Sequence, residues 1–408
     1  MLVLTQSLTS TGNRLHTGVR DALKIHKRLN NGCVVTKQFC NFAIINHINI
    51  VEMDIIPGLF GQKYSSRDYT QEDSWGKNQF NSSFPASLVA YMGSRGIKPV
   101  YICSNENNDI VHKYIDSSKL FGVDPLSDDA YYDFEAGYYS YEQYYTASKK
   151  EKIDLVMINR ATKLAVSGLE VKLTTLPDNT TKDLDEENYG SEIVVRSPTI
   201  LFLACSICSC YDSLRGKTKL HALLNTIGEE IKDWGEIRMV LPHYNKIKEA
   251  ILKVSADLSR KQVPLIIQPI WKTDKKLKHF EDNCLDVFVW SNLSVIQMCL
   301  RDTNPKDDIS RNQRTIIWLY KMLWDFTQYG RFNYTDIVNA LSYKYKTDKA
   351  FAISGNLSSP MMRCKELTKP RVSKYEIKNI ILGGGQNFLK PERRFDAFIV
   401  SHPELFQE

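Results

Sequence analysis

Three charged residues stand inside two apolar segments of this 408-residue chain, at a spacing that suits metal-dependent chemistry. Asp154 interrupts the apolar segment 153–158, and Glu170 and Lys172 interrupt the segment 168–173. Burying a charge in an apolar strand is costly unless the charge is paired. We therefore take these three side chains as the first candidates for a catalytic site.

Strand periodicity predicts that the three side chains meet. Side chains alternate across a β-strand, so Glu170 and Lys172 share one face and Val171 points into the core. On the first strand Asp154 occupies one face, and the other face carries apolar side chains: Ile153, Leu155 and Met157. The polar segment 159–162 is typical of a turn, which predicts a hairpin that places Asp154 beside Glu170.

The predicted pair of carboxylates suits a divalent cation. Asp154 and Glu170 would repel each other at such a distance unless a cation lies between them. Magnesium binds one or two carboxylates and keeps several waters, and the Val171 carbonyl could supply a further oxygen. Lys172 would then orient a water and offset the charge that develops during in-line attack. The arrangement is typical of a metal-dependent phosphodiesterase.

A simpler interpretation of the same residues is a solvated strand face. The spacing Asp-x15-Glu-x-Lys is loose, and charged residues on a strand usually face water. The apolar flanks and the formal net charge of +6 favour the catalytic interpretation. Mild basicity permits nucleic-acid binding without requiring it.

The composition is that of an ordinary globular protein. The chain is 43% hydrophobic and 25% charged, and no apolar run is long enough to span a bilayer. Its nine cysteines are scattered, which predicts a cytoplasmic location. Cys205, Cys208 and Cys210 lie close together, but no second pair of Cys or His follows at ligand spacing. We interpret them as buried small apolar residues rather than a metal site.

Hydrophobic periodicity predicts an α/β fold, with a mixed central β-sheet flanked by helices and additional helical elements. Besides the hairpin, the predicted strands cover 98–103, 192–195, 264–271, 285–290 and 395–400. Predicted helices begin at Ser197 and cover 247–258 and 312–329. The tyrosine-rich segment from Tyr131 to Tyr145 is expected to be a helix packed near the site.

The segment 1–52 differs from the rest of the chain because it is polar, basic and weakly periodic. We expect it to be poorly ordered or dispensable, with Met53 as a plausible natural start. The remaining residues, 53–408, are expected to form the functional domain. Its catalytic core would cover about 98–300, and a C-terminal helical and strand part would cover about 301–408.

Several sequence blocks resemble the HindVP-type restriction enzymes, which are PD-(D/E)XK nucleases. The blocks are 57–61, 66–68, 75–85, 96–102, 168–174 and 191–198. Block 75–85 is long and more specific than the degenerate catalytic motif. One departure is visible, because Ile153 stands where the superfamily pattern has a proline before the first acid.

The resemblance implies a type II restriction endonuclease that acts as a homodimer, requires Mg²⁺ and has a core sheet with helices on both sides. It also implies double-strand DNA cleavage at a short palindrome, which for HindVP-like enzymes is GRCGYC. Carried over by motif, Asp154 and Glu170 are metal ligands and Lys172 is the catalytic lysine. Many relatives add an upstream helical Glu, for which Glu142 is the candidate and Glu135 the reserve. A DNA methyltransferase is expected as a genetic neighbour.

Four residues are candidates for DNA contact: Arg67, Lys77, Asn78 and Arg196. Arginine pairs with guanine O6 and N7 through two hydrogen bonds, and asparagine can pair with adenine. Surface charge or loop capping explains any single one of them equally well.

Two other functions stay open on the sequence alone. A repair or recombination nuclease would share the core, but the ATPase or helicase motifs that would favour it are not seen. A non-catalytic DNA-binding protein would need a recognition module. No helix-turn-helix or zinc-finger pattern is convincing, although residues 312–345 could contain a helical module.

Overall fold

The computed structural model describes most of the chain between residues 88 and 376, and every described residue belongs to one unit, residues 67–401. The described residues are 88, 91–124, 127, 129–171, 192–259, 264–273, 280–301, 309–343, 350–354, 372–373 and 375–376. Strands and helices are numbered within these ranges.

A mixed β-sheet of eight strands lies at the centre of the described chain. The described residues form twelve strands in all, including those outside this sheet. In chain order they are β1 Val100–Ser104, β2 Ile110–Tyr114, β3 Ala130–Ala136, β4 Tyr145–Thr146, β5 Ile153–Asn159, β6 Ala165–Val171, β7 Glu192–Arg196, β8 Pro264–Thr273, β9 Phe280–Ser291, β10 Phe332–Asn333, β11 Ala350–Ser354 and β12 Val372–Ser373. In the central sheet, seven strands lie side by side in the order β2-β1-β9-β8-β6-β5-β3. The eighth strand, β12, pairs with β9. β1 is parallel to β9 and β6 is parallel to β8, while the other neighbours are antiparallel. Two short ladders, β4–β10 and β7–β11, lie apart from this sheet.

The predicted hairpin is present as β5 and β6. Its turn is closed by Asn159, whose side-chain oxygen accepts a hydrogen bond from the Thr162 backbone N–H at 2.9 Å. Lys163 follows with a φ of 57°, a left-handed conformation that reverses the chain. A side-chain bond across the turn of this kind explains why a short polar segment is enough to join the two strands.

The sequence also predicts four further strands, of which β1, β8 and β9 belong to the central sheet. Strands β1, β7, β8 and β9 coincide with the apolar segments beginning near residues 98, 192, 264 and 285, although β9 starts earlier, at Phe280. The predicted strand 395–400 lies outside the described residues. The predicted α/β class with a mixed sheet and flanking helices is thus confirmed.

Nine α-helices have both ends within the described residues: α1 Ser117–Phe121, α2 Tyr139–Glu142, α3 Ser197–Cys210, α4 Leu214–Gly228, α5 Ile237–Val240, α6 Tyr244–Leu258, α7 Asn292–Arg301, α8 Arg311–Tyr329 and α9 Tyr334–Ala340. The predicted helices at 197, 247–258 and 312–329 are confirmed as α3, α6 and α8. Helix α8 begins with a capping box, in which Ser310 and Gln313 bond each other's backbone, and ends at Gly330 with a φ of 72°. None of the described helices is both long and apolar enough to cross a lipid bilayer.

The expectation of one helix from Tyr131 to Tyr145 is wrong. Residues 130–136 form strand β3, which pairs with β5 from Ala130 opposite Asn159 to Ala136 opposite Ile153. Only the four-residue helix α2 follows, before strand β4. Tyrosine and phenylalanine favour strands, and the neighbouring strand β5 supplies the hydrogen bonds that a helix would otherwise make internally.

The helices α3, α4, α6, α7 and α8 form a layer whose buried side chains make one core with the sheet. The layer is closely packed, because a Cβ added to Gly228 of α4 would lie 2.3 Å from ring atoms of Trp324 in α8. Cys205 and Cys208 are buried in α3, and burial raises the pKa of both thiols. The prediction that they are small apolar core residues is confirmed for these two, while Cys210 is only partly buried.

Candidate active site

The two predicted acids lie at the open end of the β5–β6 hairpin, the end opposite its turn. The ladder pairs Leu155 with Leu169, so Asp154 and Glu170 are the next residues outward on the two strands. Directly opposed side chains of an antiparallel pair point to the same side of the sheet, with Cβ atoms about 5 Å apart. The fold therefore sets Asp154 and Glu170 side by side.

The Asp154 carboxylate is oriented by the neighbouring strand. The backbone N–H of Val171 donates a hydrogen bond to Asp154 Oδ2 at 2.8 Å. A hydrogen bond to an ionised acceptor is stronger than a neutral one, and it restricts rotation of the carboxylate. Strand periodicity does not indicate this bond, because it depends on which residues of the two strands meet.

Glu170 lies deeper than Asp154. Its exposed fraction is 7%, whereas Asp154 is only partly buried. Glu170 of β6 pairs with Ile266 of β8, which pairs with Trp290 of β9, which in turn pairs with Ile102 of β1. Paired residues point to the same side of a sheet, so the side chains of Ile266, Trp290 and Ile102 share a face with Glu170. All three belong to the core shared with the helical layer. The Glu170 side chain thus emerges on the sheet face that the helices cover.

The prediction that Val171 is the residue of this strand end that points into the core is wrong. Val171 is half-buried and Glu170 is buried. The first strand behaves similarly, since Val156, on the Asp154 face, is as buried as Leu155. Both faces of the hairpin are covered here, so simple alternation between core and solvent does not apply.

The donor set of the pair fits a hard divalent cation. An ionised carboxylate as buried as Glu170 requires compensation from donors or a cation, and a second carboxylate beside it increases that requirement. The described residues contain no group of three or more His, Cys, Asp or Glu that could hold a metal. A cation at this pair would have the Asp154 and Glu170 carboxylates as side-chain ligands, and water and substrate oxygens would complete its shell.

The candidate third acid is not brought into this pair by the described contacts. Glu142 lies at the end of α2, and its carboxylate folds back over Gly137, where an added Cβ would lie 2.5 Å from Oε1. The reserve candidate Glu135 is part of β3. A catalytic role for Glu142 stays a prediction.

The remaining predicted site residues are only partly covered by the structure. Arg196 is half-buried at the end of β7, immediately before α3, in the small β7–β11 ladder rather than in the central sheet. The other candidates lie outside the described residues: Lys172, Arg67, Lys77 and Asn78.

Comparison with known proteins decides the family. The family model described as HindVP restriction endonuclease matches residues 75–406. The chain belongs to the HindVP restriction endonuclease family. The resemblance inferred from the sequence blocks is thus confirmed, and so is the expected enzyme class, a restriction endonuclease.

Two curated members of the family extend over most of the chain. The type II restriction enzyme HgiDI of Herpetosiphon aurantiacus is 39% identical over 354 residues, covering 86% of this chain and 98% of that enzyme. The probable type II restriction enzyme HindVP of Haemophilus influenzae is 39% identical over 359 residues, covering 87% of this chain and 96% of that enzyme. No solved structure shows significant similarity to this fold.

A tyrosine and a glycine support the hairpin beside the acids. A Cβ added to Gly168, two residues before Glu170, would lie 3.1 Å from the Tyr138 ring and 3.1 Å from the Ile153 side chain. Tyr138 also packs edge-to-face on Tyr141, at 4.7 Å between ring centroids. In this family member, therefore, the glycine before the Glu-x-Lys motif gives the aromatic cluster close access to the strand.

Proposed function

We propose that this family member is a type II site-specific deoxyribonuclease that hydrolyses phosphodiester bonds of double-stranded DNA, with Asp154 and Glu170 at its catalytic centre. The observation that carries the assignment is the placement of these two acids side by side on β5 and β6, in a chain of the HindVP restriction endonuclease family. A repair nuclease or a non-catalytic DNA-binding protein has no observation of comparable weight in its favour.

Each residue of the site has a distinct role in the proposed reaction. Asp154 and Glu170 would hold Mg²⁺, with the Val171 amide keeping the Asp154 carboxylate in place. When bound, Mg²⁺ supplies Lewis-acid stabilisation of the scissile phosphate. Lys172, two residues after Glu170, orients the attacking water and offsets the negative charge that grows on the phosphate oxygens.

We assign recognition to a short palindrome, and the HindVP-like sequence GRCGYC is the specific candidate. Base contacts are assigned to Arg67, Lys77, Asn78 and Arg196, since these side chains can bond to base edges in the major groove. A palindrome presents two equivalent half-sites, so a two-fold homodimer reads both halves and cuts both strands. A cognate DNA methyltransferase would protect the host DNA.

We place the enzyme in the cytoplasm. The five cysteines in the described ranges are all free thiols, as expected in a reducing compartment: Cys103, Cys205, Cys208, Cys210 and Cys299. Burial raises the pKa of the Cys299 thiol to about 12, so this group is not a ready nucleophile.

Digestion of unmethylated plasmid DNA tests the function. The purified protein with Mg²⁺ should give discrete fragments, and sequencing their ends should place every cut at GRCGYC. The same plasmid with all GRCGYC sites altered, and the same reaction with EDTA, should remain uncut. Failure to cut any duplex, or random degradation, would overturn the assignment. Discrete cuts at another palindrome would overturn only the recognition sequence.

Sedimentation with a duplex that carries the mapped site tests the dimer. Two chains per site are expected, because each chain would read one half-site. A one-to-one complex that still cuts both strands together would contradict the homodimer.

A further inference from the structure

A basic loop, residues 147–152, leads directly into the strand that carries Asp154. It contains three lysines, Lys149, Lys150 and Lys152, and one acid, Glu151. Lys152 precedes Asp154 by two residues, and two residues of extended chain span at most about 7 Å. The positive charge of the loop is therefore held next to the catalytic pair by the chain itself.

The middle lysine, Lys150, is exposed, but its ammonium is bonded to the backbone and fixes the loop. The Lys150 ammonium donates to the backbone carbonyls of Tyr145 at 3.1 Å and Glu142 at 3.3 Å. It also lies 4.5 Å from the centroid of the Tyr145 ring. The Tyr145 hydroxyl in turn donates to the Glu151 carbonyl at 3.4 Å, so the loop is tied to β4 at two points.

The two outer lysines have a different environment. Lys149 and Lys152 are exposed, and neither has an acidic partner among the residues that the structure describes. Five other lysines of the described chain do pair with acids: Lys98 with Asp116, Lys217 with Asp212, Lys219 with Asp257, Lys246 with Glu230 and Lys321 with Asp325. Lys149 and Lys152 are thus exposed cations on a fixed loop.

We propose that this loop is a phosphate-binding strap, in which Lys149 and Lys152 contact the DNA backbone beside the scissile bond while Lys150 holds the loop in shape. The proposal rests on the proposed function, because it concerns how the same site holds double-stranded DNA. Lysine suits such a role, since a compact ammonium on a long stem can reach phosphate oxygens without reading a base.

A fixed loop makes these lysines more effective than ordinary surface charges. Most exposed lysines lose side-chain and backbone freedom when they bind, which offsets the electrostatic gain. Here the backbone is already held by Lys150 and Tyr145 before DNA arrives. Because Lys152 is only two residues from Asp154, its positive charge would lower the repulsion between the carboxylates and an approaching phosphate.

Salt dependence of DNA binding tests the strap. The double variant Lys149→Gln/Lys152→Gln would be compared with the wild type for binding to two short duplexes, one with the mapped cleavage site and one without, in the absence of divalent cations. Each lost phosphate contact makes the slope of log K against log salt shallower by about 0.9. We expect a slope shallower by about 1.8 for each chain, or about 3.6 for the two-chain complex, and weaker binding to both duplexes alike.

Two further variants separate this role from simpler ones. Lys253→Gln removes an exposed lysine on α6, a helix that contacts the β1–β2 turn through Ser255. This control variant should leave the slope of log K against log salt unchanged. Lys150→Gln should lower the unfolding temperature, whereas the double variant should not. An unchanged slope in the double variant, while the wild type still cleaves its site, would overturn the strap and leave the proposed function intact. A wild type that cuts no duplex would overturn the function itself.

Discussion

The helical layer and the open end of the β5–β6 hairpin use acidic side chains in opposite ways. In the helical layer an acid is balanced by a lysine, as in Asp325 of α8, which lies 2.5 Å from the Lys321 ammonium. At the open end of the hairpin, two acids are set beside each other, and Asp154 accepts a hydrogen bond from the Val171 backbone N–H. The first arrangement neutralises charge within the fold, while the second concentrates it.

The concentration of charge has a cost that stability alone would not justify. Two carboxylates repel by roughly 3 kcal/mol where their charges lie about 5 Å apart at an effective dielectric constant of about 20. Replacing either acid should therefore leave the fold as stable or make it more stable. Active sites often carry such locally unfavourable features, and the rest of the structure sustains them. The comparison predicts that substitutions at the hairpin end lower DNA cleavage without lowering stability, whereas substitutions in the helical layer lower stability without abolishing cleavage.

The largest effect is expected from the catalytic residues. Asp154→Ala, Glu170→Ala and Lys172→Ala should each lower DNA cleavage by at least about a thousandfold, as removing groups that act as a unit does. Specific binding and the unfolding temperature should be largely unchanged. Cleavage rates and thermal unfolding of purified variants check this, with Glu249→Ala, an exposed acid on α6, as the control. Near-normal cleavage by any one of the three variants would contradict its assignment.

The second prediction is that a core substitution in the helical layer lowers stability but spares cleavage. Trp318 is 1% exposed, and its indole N–H donates to the Leu341 carbonyl at 3.0 Å. Trp318→Ala should cost about 3–5 kcal/mol in the free energy of unfolding, yet cleavage should persist at temperatures where the variant is folded. Denaturant unfolding measures the loss. Tyr329→Ala, at a 75% exposed position of the same helix, is the matched control and should change stability little.

The third prediction concerns the contact between α4 and α8. Gly228→Ala adds a methyl group that would lie 2.3 Å from the Trp324 ring, so the helices must separate or the ring must move. A loss of about 1–3 kcal/mol is expected, and cleavage should again be retained. If the ring is the cause, adding Trp324→Leu should recover part of the loss. Equal losses with and without the second substitution would show that helix separation, not the ring, sets the cost.

A smaller effect is expected at the start of α4. The Ser213 hydroxyl accepts a hydrogen bond from the Gly216 backbone N–H at 2.9 Å and caps the helix. Ser213→Ala should cost about 1 kcal/mol, while Ser213→Gly should cost only a few tenths, because glycine is tolerated at this position. Chemical denaturation of both variants distinguishes them. Equal values for the two would mean that the hydroxyl does not stabilise the helix.

The smallest effect is expected from removing residues 1–52. The family match begins at residue 75, and relatives aligned over nearly their whole length cover 86–87% of this chain. A chain that begins at Met53 should fold and cleave with unchanged specificity. The alternative is a basic arm that tracks DNA phosphates, in which case the shortened chain would bind DNA with a shallower salt dependence. Insoluble protein would assign the segment to the fold.

The sequence alone was sufficient where the signal is local. The apolar segments that flank Asp154 and Glu170, together with the polar turn between them, predict the β5–β6 hairpin and the meeting of the two acids. Regular spacing of apolar residues likewise predicts α6 and α8, because each helix has one face to bury. These features depend on residues close in sequence, so periodicity is enough to find them.

Only the tertiary structure decided what depends on distant partners. Strand β6 pairs with β8, about a hundred residues further along the chain, and that pairing decides which buried side chains surround Glu170. The tyrosine-rich segment became strand β3 because β5 offers it a ladder, and the Glu142 carboxylate lies against Gly137. The bonds from Val171 to Asp154 and from Lys150 to Tyr145 likewise depend on register and loop shape. A sequence pattern specifies which face a side chain takes, but the partner that it meets there is set by how the strands and loops pack.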